Sequence, residues 1–255
     1  MHERQWKIGE RLFNVSRHGL IMGVLNVTPD SFSDGGKTRP GAEPIAADEE
    51  LRRVIPVIEK LRTKIDVPIS IDTSKTEVAL AAIQAGASIV NDVTGGRGGE
   101  GMLPLIAETK SALIIMHMQG TPQTMQKQPR YNEVVSEVAF FFRQQYACAI
   151  GCNIDPMAIA FDPGIGFGKT LDHNLELLAQ LERLRAHDRP LVIGVSRKSF
   201  LGKLVESPDM DDRRAPAVAL TALLRTRGAD VFRVHDVKEN VSALRVTEAI
   251  LGRTE

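Results

Sequence analysis

Asn26, Asp72, Asn91, His117, Asp162, Lys198 and Arg233 each lie at or just past the C-terminal end of a short apolar run, and together offer two carboxylates, two amides, an imidazole and two cations. In a parallel barrel every strand points the same way. Residues that close successive strands therefore converge on one rim, where the following loops can grip a ligand. Side chains of these types on one rim can bind a small polar molecule and stabilise charge that develops on it.

The elements that must position them are legible as patterns. Apolar runs with β-branched residues at 20–25 (LIMGVL), 68–71 (PISI), 88–90 (SIV), 112–116 (ALIIM), 157–161 (MAIAF), 190–195 (PLVIGV) and 230–234 (DVFRV) predict strands. Three-to-four spacing predicts helices over 49–61, 75–85, 132–150, 171–184 and 218–227, with Gly86 and Gly228 as stops. Strand alternating with helix implies an α/β fold with a parallel sheet, and 255 residues suit a TIM (β/α)8-type barrel. Residues 8–16 predict a small hairpin within a lead-in over 1–18, and 119–131 a polar loop. With no linker and no internal repeat, one domain over 1–255 is expected.

Charge and composition narrow the function. Lys+Arg 32 against Asp+Glu 32 leaves no net charge, which disfavours nucleic acid or an anionic membrane surface and favours small-molecule substrates. The segment MHERQWKIGERLF lacks an apolar signal core, and no run approaches the roughly 20 apolar residues of a membrane helix, so a cytoplasmic location is expected. Cys148 and Cys152, four apart in one helical pattern, predict reduced core or boundary thiols rather than a disulfide or zinc site. His117 has no second histidine at ligand spacing and reads as a hydrogen-bonded histidine of core or rim, not a metal ligand.

IMGVLNVTPDSFSDGG (21–36), TRPGA (38–42), SIDTSK (70–75), NDV (91–93), MHMQGTPQTMQ (116–126), DPGIGFGKT (162–170), GVSRKSFLG (194–202) and FRVHDV (232–237) occur in this order along nearly the whole chain. Together they resemble dihydropteroate synthase, a pterin-binding barrel family. The resemblance implies a transferase that joins 6-hydroxymethyl-7,8-dihydropterin pyrophosphate to 4-aminobenzoate in folate biosynthesis, a sulfonamide target, and a homodimer formed through helices near the C-terminus.

The resemblance also implies roles. Asp72, Asn91, Met116, Asp162, Gly194, Lys198 and Arg233 would bind the pterin, whose adjacent donors suit a buried carboxylate. Asp72, Asp162, Lys198 and Arg233 would carry catalysis. No GxxxxGK[ST] loop is present, so Asn26, Arg233 and His235 would meet the pyrophosphate, with Asn26 sharing Mg2+ with it. Phe32, Thr38, Arg39, Pro40, Phe167, Lys198 and Ser199 would form the aminobenzoate slot, with Phe32 and Asp34 on one lid loop and Thr38 to Pro40 on a second. Taken singly, each Asp reads as a helix cap or surface ion pair, and NVTPDSFSDGG as a surface turn.

One departure stands out. In the family a helix and a strand separate the SDGG and TRPGA motifs, whereas here Gly36 reaches Thr38 through Lys37 alone. The expectation is seven strands, lacking one βα unit (helix 1 and strand 2), with both lid loops kept on the same rim. Closure with seven strands, a partner in the gap, or instability all remain open. Two rivals follow: a catalytically impaired pterin-binding paralogue, which would bind pterin without releasing pyrophosphate, and a methyltetrahydrofolate methyltransferase of the same barrel type, which has no need of the SRKS and TRP segments.

Overall fold

Two short strands precede the barrel and close its floor. The computed structural model describes residues 3–27, 45–120, 125 and 129–253; Phe32, Asp34, Thr38, Arg39 and Pro40, with the Gly36–Thr38 junction, lie outside the described residues. Strands β1 (Gln5–Ile8) and β2 (Arg11–Asn14) pair antiparallel around a turn at Gly9, whose φ is +58°. This hairpin begins three residues before the expected 8–16, because Trp6 as well as Ile8 faces inward. Trp6, Ile8 and Val15 pack on Ile89, Ala112, Ala160, Val192 and Val231 near the strand starts, and Trp6 Nε1 donates to the Ala158 carbonyl at 3.1 Å. That is the stability face of a barrel, which leaves the opposite rim for chemistry.

Seven parallel strands follow among the described residues: β3 (Leu20–Gly23), β4 (Ser70–Asp72), β5 (Ile89–Asp92), β6 (Ala112–Met116), β7 (Ile159–Asp162), β8 (Val192–Ile193) and β9 (Val231–Val234). They run in the order β4-β5-β6-β7, then β8-β9-β3, joined by a parallel bridge from Phe161 to Leu191. Every residue of β5, β6 and β7 is buried. In β3, by contrast, Leu20, Ile21 and Met22 are half-buried and Gly23 is exposed.

Among the described residues β3 and β4 have no pairing with each other. The Leu20 and Val24 amides donate to Asp230 and Val234 carbonyls at 2.9 and 2.8 Å, so by strand alternation those of Ile21 and Gly23 point away from β9. Thr73 donates to the Asn91 carbonyl at 3.2 Å, so the Ser70 and Asp72 amides likewise point away from β5.

Around the strands lie α1 (Ala47–Arg62), α2 (Thr76–Gln84), α3 (Met102–Thr109), α4 (Val134–Gly151), α5 (Leu171–Ala179), α6 (Ser199–Leu204), α7 (Arg214–Thr226) and α8 (Val237–Leu251). The expected helix over 171–184 breaks at Gln180 into α5 and a 3-10 turn at Leu181–Leu184. Helix α7 starts four residues before 218, since Pro216 is tolerated in a first turn whose amides need no partner. Cys148 is exposed and Cys152 half-buried, so a core position fails for Cys148; both thiols are free. No helix among the described residues is long and apolar enough to cross a membrane.

Candidate functional site

Asp162 ends β7 with only 1% exposure, and its carboxylate has two partners. Oδ1 accepts the Gly164 amide at 2.7 Å and Oδ2 accepts Arg233 Nη2 at 2.8 Å. Arg233 starts from β9 and must cross β8 to get there. It passes over Gly194, where an added Cβ would come 3.2 Å from the guanidinium Nε, so glycine leaves the path open. Arg233 Nη1 also reaches Asp72 Oδ2 at 3.4 Å.

Asp72 ends β4. Surrounding protein raises its pKa by desolvation, opposed by Arg233 and Asn91. Because 57% of its side chain still meets solvent, that desolvation is partial. Asn91, in register with Asp72 on β5, is 2% exposed; its amide leans on the Asp72 carboxylate, and neither Nδ2 nor Oδ1 makes a well-formed hydrogen bond among the described residues. A buried amide left unpaired costs free energy that a ligand with complementary donors and acceptors recovers. Met116, fully buried at the end of β6, forms an apolar wall with Met118, Met125 and Phe167.

Lys198 does not close a strand as expected. It lies five residues past β8, at the N-cap of α6, where Ser199 is the exposed first residue. Its Nζ donates to the Ile165 carbonyl at 2.8 Å and stands 3.8 Å from the Phe167 ring centre. Burial and then the Arg233 charge push its pKa down to about 7, against Asp162 and Asp72.

On the other side of Arg233, His235 follows β9. Its Nδ1 lies 3.1 Å from Ser196 Oγ, which also accepts the His235 amide at 3.2 Å, while Nε2 is buried without a partner among the described residues. Burial and the Arg197 charge lower its pKa. Asn26 is exposed three residues past β3, the strand paired with β9. Among the described residues no three His, Cys, Asp or Glu form a metal cluster. The Asn26 carbonyl oxygen is a hard neutral donor that suits a Mg2+ held chiefly by phosphate oxygens and water.

His117, at 7% exposure, lies 3.1 Å through Nδ1 from Lys169 Nζ. Burial, then Lys169 and Arg97, push its pKa down to about 2, so it stays neutral. Three contributors escaped the sequence reading. Asp92 accepts the Thr94 and Gly96 amides and the Thr94 hydroxyl, building the turn after β5, which the D-x-T-G-G pattern signals. Ser196 holds His235 and Lys169 holds His117; both sit inside quoted motifs, but only their neighbours reveal their partners.

The chain as a whole has counterparts among known proteins. Residues 35–235 match the family described as pterin binding enzyme. Dihydropteroate synthase of Synechocystis sp. is 40% identical over 271 residues, covering 95% of this chain and 94% of the relative.

The chain belongs to the dihydropteroate synthase family.

Its fold agrees with solved members. Yersinia pestis dihydropteroate synthase in complex with a sulfonamide drug superposes with TM-score 0.90 at 36% identity, over 98% of this chain and 99% of that one. The Xanthomonas albilineans dihydropteroate synthase complex with 7,8-dihydropteroate gives TM-score 0.84 at 36% identity, over 97% and 98%. The expected family and its barrel fold are thereby borne out. The 271 matched positions outnumber the 255 residues here, so the Synechocystis dihydropteroate synthase carries residues within that stretch that this chain lacks.

Proposed function

We propose that the chain joins 6-hydroxymethyl-7,8-dihydropterin pyrophosphate to 4-aminobenzoate, giving 7,8-dihydropteroate and pyrophosphate. Family membership supports the reaction, and the buried Asn91 amide, which makes no well-formed hydrogen bond among the described residues, beside the Asp162–Arg233 pair supports its place. Asp162 accepts the paired donors of the pterin edge, Asn91 donates and accepts, Asp72 accepts, Lys198 donates to the acceptor side, and Met116 and Gly194 bound the slot.

Substitution at the pterin methylene is dissociative. The C–O bond breaks first and its electron pair leaves with the pyrophosphate. The aniline nitrogen then forms the C–N bond and loses a proton. Arg233 and His235 hold the departing anion while the Asp162 carboxylate offsets positive charge on the pterin, an electrostatic contribution without a protein nucleophile. Asn26 would hold a Mg2+ that, when bound, would supply further neutralisation of the leaving group. Phe167, the Lys198 stem and Ser199 form the aminobenzoate slot with Phe32, Thr38, Arg39 and Pro40.

The same reading includes a single domain over 1–255, a cytoplasmic location and a homodimer through α7 and α8, where exposed Leu223, Val246 and Ile250 supply apolar surface. It also includes the absence of one βα unit between Gly36 and Thr38. The lack of a pairing between β3 and β4 among the described residues and the longer match to the Synechocystis relative support that absence. The same lack of pairing favours one second reading, a pterin-binding paralogue impaired in turnover. The methyltransferase alternative finds no support among relatives that are dihydropteroate synthases.

The deciding experiment is pyrophosphate release from the dihydropterin pyrophosphate with Mg2+, with and without 4-aminobenzoate. Aminobenzoate-dependent release with dihydropteroate formed is expected. Pterin binding without release would establish the impaired paralogue instead.

A further inference from the structure

Lys169 is 4% exposed and forms no ion pair among the described residues. Its Nζ lies 2.9 Å from the Phe167 carbonyl, 3.1 Å from that of Gly164, 3.3 Å from that of His117 and 3.1 Å from His117 Nδ1. Neutral groups thus hold a buried amine whose pKa burial pushes down to about 7 against the Asp162 charge, and burying such a group costs free energy that its hydrogen bonds offset. Its contribution is to be sought in the geometry it imposes.

These acceptors belong to two loops, one after β6 and one after β7. The second turns through Gly164, Gly166 and Gly168, all at positive φ, with Gly164 so close that an added Cβ would lie 2.0 Å from the His117 carbonyl. Tyr131 adds one tie, donating to the Gly168 carbonyl at 2.9 Å. The same loop meets Lys198, through the Ile165 carbonyl and the Phe167 ring. Lys169 therefore fastens, through backbone carbonyls, the loop that Lys198 also contacts. Without its amine, the Phe167 and Gly164 carbonyls lose a donor that water cannot readily replace, although Gly164 keeps the Phe167 amide at 2.9 Å.

We propose, resting on the placement of Phe167 and Lys198 in the aminobenzoate slot, that Lys169 is a positioning residue for 4-aminobenzoate, acting by holding the Phe167 ring against Lys198. It touches neither substrate.

The test is a double-mutant cycle on the full chain with Lys169→Met and Phe167→Ala, after circular dichroism and a thermal midpoint confirm folding. K169M should raise the 4-aminobenzoate KM by about tenfold, the loss of its hydrogen bonds to one loop, while kcat and the dihydropterin pyrophosphate KM stay within about threefold. The double variant should be no worse than F167A, since both changes remove the same ring placement. Multiplied effects, an unchanged aminobenzoate KM, or equal loss in both substrates would overturn the proposal. A silent F167A would instead remove Phe167 from the slot and so overturn the placement on which the proposal rests, a result distinct from a silent K169M. Lys169→Gln, which keeps a donor, takes the place of K169M should the latter not fold. The same cycle read from equilibrium 4-aminobenzoate binding tests the proposal independently of turnover.

Discussion

Arg233 on β9 donates to Asp162 on β7 at 2.8 Å, across an intervening strand whose rim residue is Gly194. The pair joins the pterin and pyrophosphate halves of the proposed site through one guanidinium. Asp162→Asn keeps the shape and removes the charge. Breaking a buried charge pair costs about 2–5 kcal/mol, so pterin binding should weaken by about 30-fold or more by calorimetry. An unchanged affinity would take Asp162 out of the pterin site.

Ser199, exposed at the start of α6, belongs to the aminobenzoate side. Ser199→Ala should raise the 4-aminobenzoate KM by roughly three- to tenfold, the worth of one hydrogen bond, and leave pterin affinity unaltered. Equal loss for both substrates would contradict the division of the site.

With its pKa pushed down to about 7, Lys198 carries charge below that pH and loses it as pH rises. Hydrogen bonds from a charged donor are roughly twice as strong as neutral ones, so pterin pyrophosphate affinity should fall several-fold between about pH 6 and 8.5. Lys198→Arg stays protonated throughout and should flatten that dependence. A wild-type profile without a step, or a step that persists in Lys198→Arg, would overturn this role for the lysine.

The β3 and β4 edges make a local prediction. Amides of Ile21, Gly23, Ser70 and Asp72 should exchange hydrogen at least about tenfold faster than those of Leu20 and Val24, which donate to β9. Equal protection measured by NMR would mean that another strand, from this chain or a second copy, fills the opening.

Gly164 combines φ +63° with a site where a Cβ would fall 2.0 Å from the His117 carbonyl. Gly164→Ala should destabilise the protein by at least about 2 kcal/mol in urea titration. A smaller loss would mean that this loop shifts freely.

The seven strands were legible because each is a short apolar run, and β6 coincides with ALIIM over 112–116. Helix α5 began where expected at Leu171 because Thr170 caps it, accepting the His173 amide at 3.2 Å. Helices α3, α6 and α8 were not anticipated. The α3 sequence MLPLIAET carries a proline that reads as a breaker but falls in the first turn. In α8 only Asn240, Leu244 and Thr247 are buried, and two of these are polar, so its inward face has little apolar signal.

By itself the sequence determined the family and the residue types at the rim, because spaced motifs of Asp, Asn, Lys, Arg and His survive as a pattern in one dimension. Strand periodicity likewise specified a parallel α/β barrel. Only the tertiary structure decided which of those residues meet. That Arg233 reaches Asp162 over Gly194, that Asn91 is buried beside Asp72, and that Lys169 ties the loops after β6 and β7 all depend on residues many positions apart. Distances across strands are set by sheet order and pleat, and local periodicity carries no information about them.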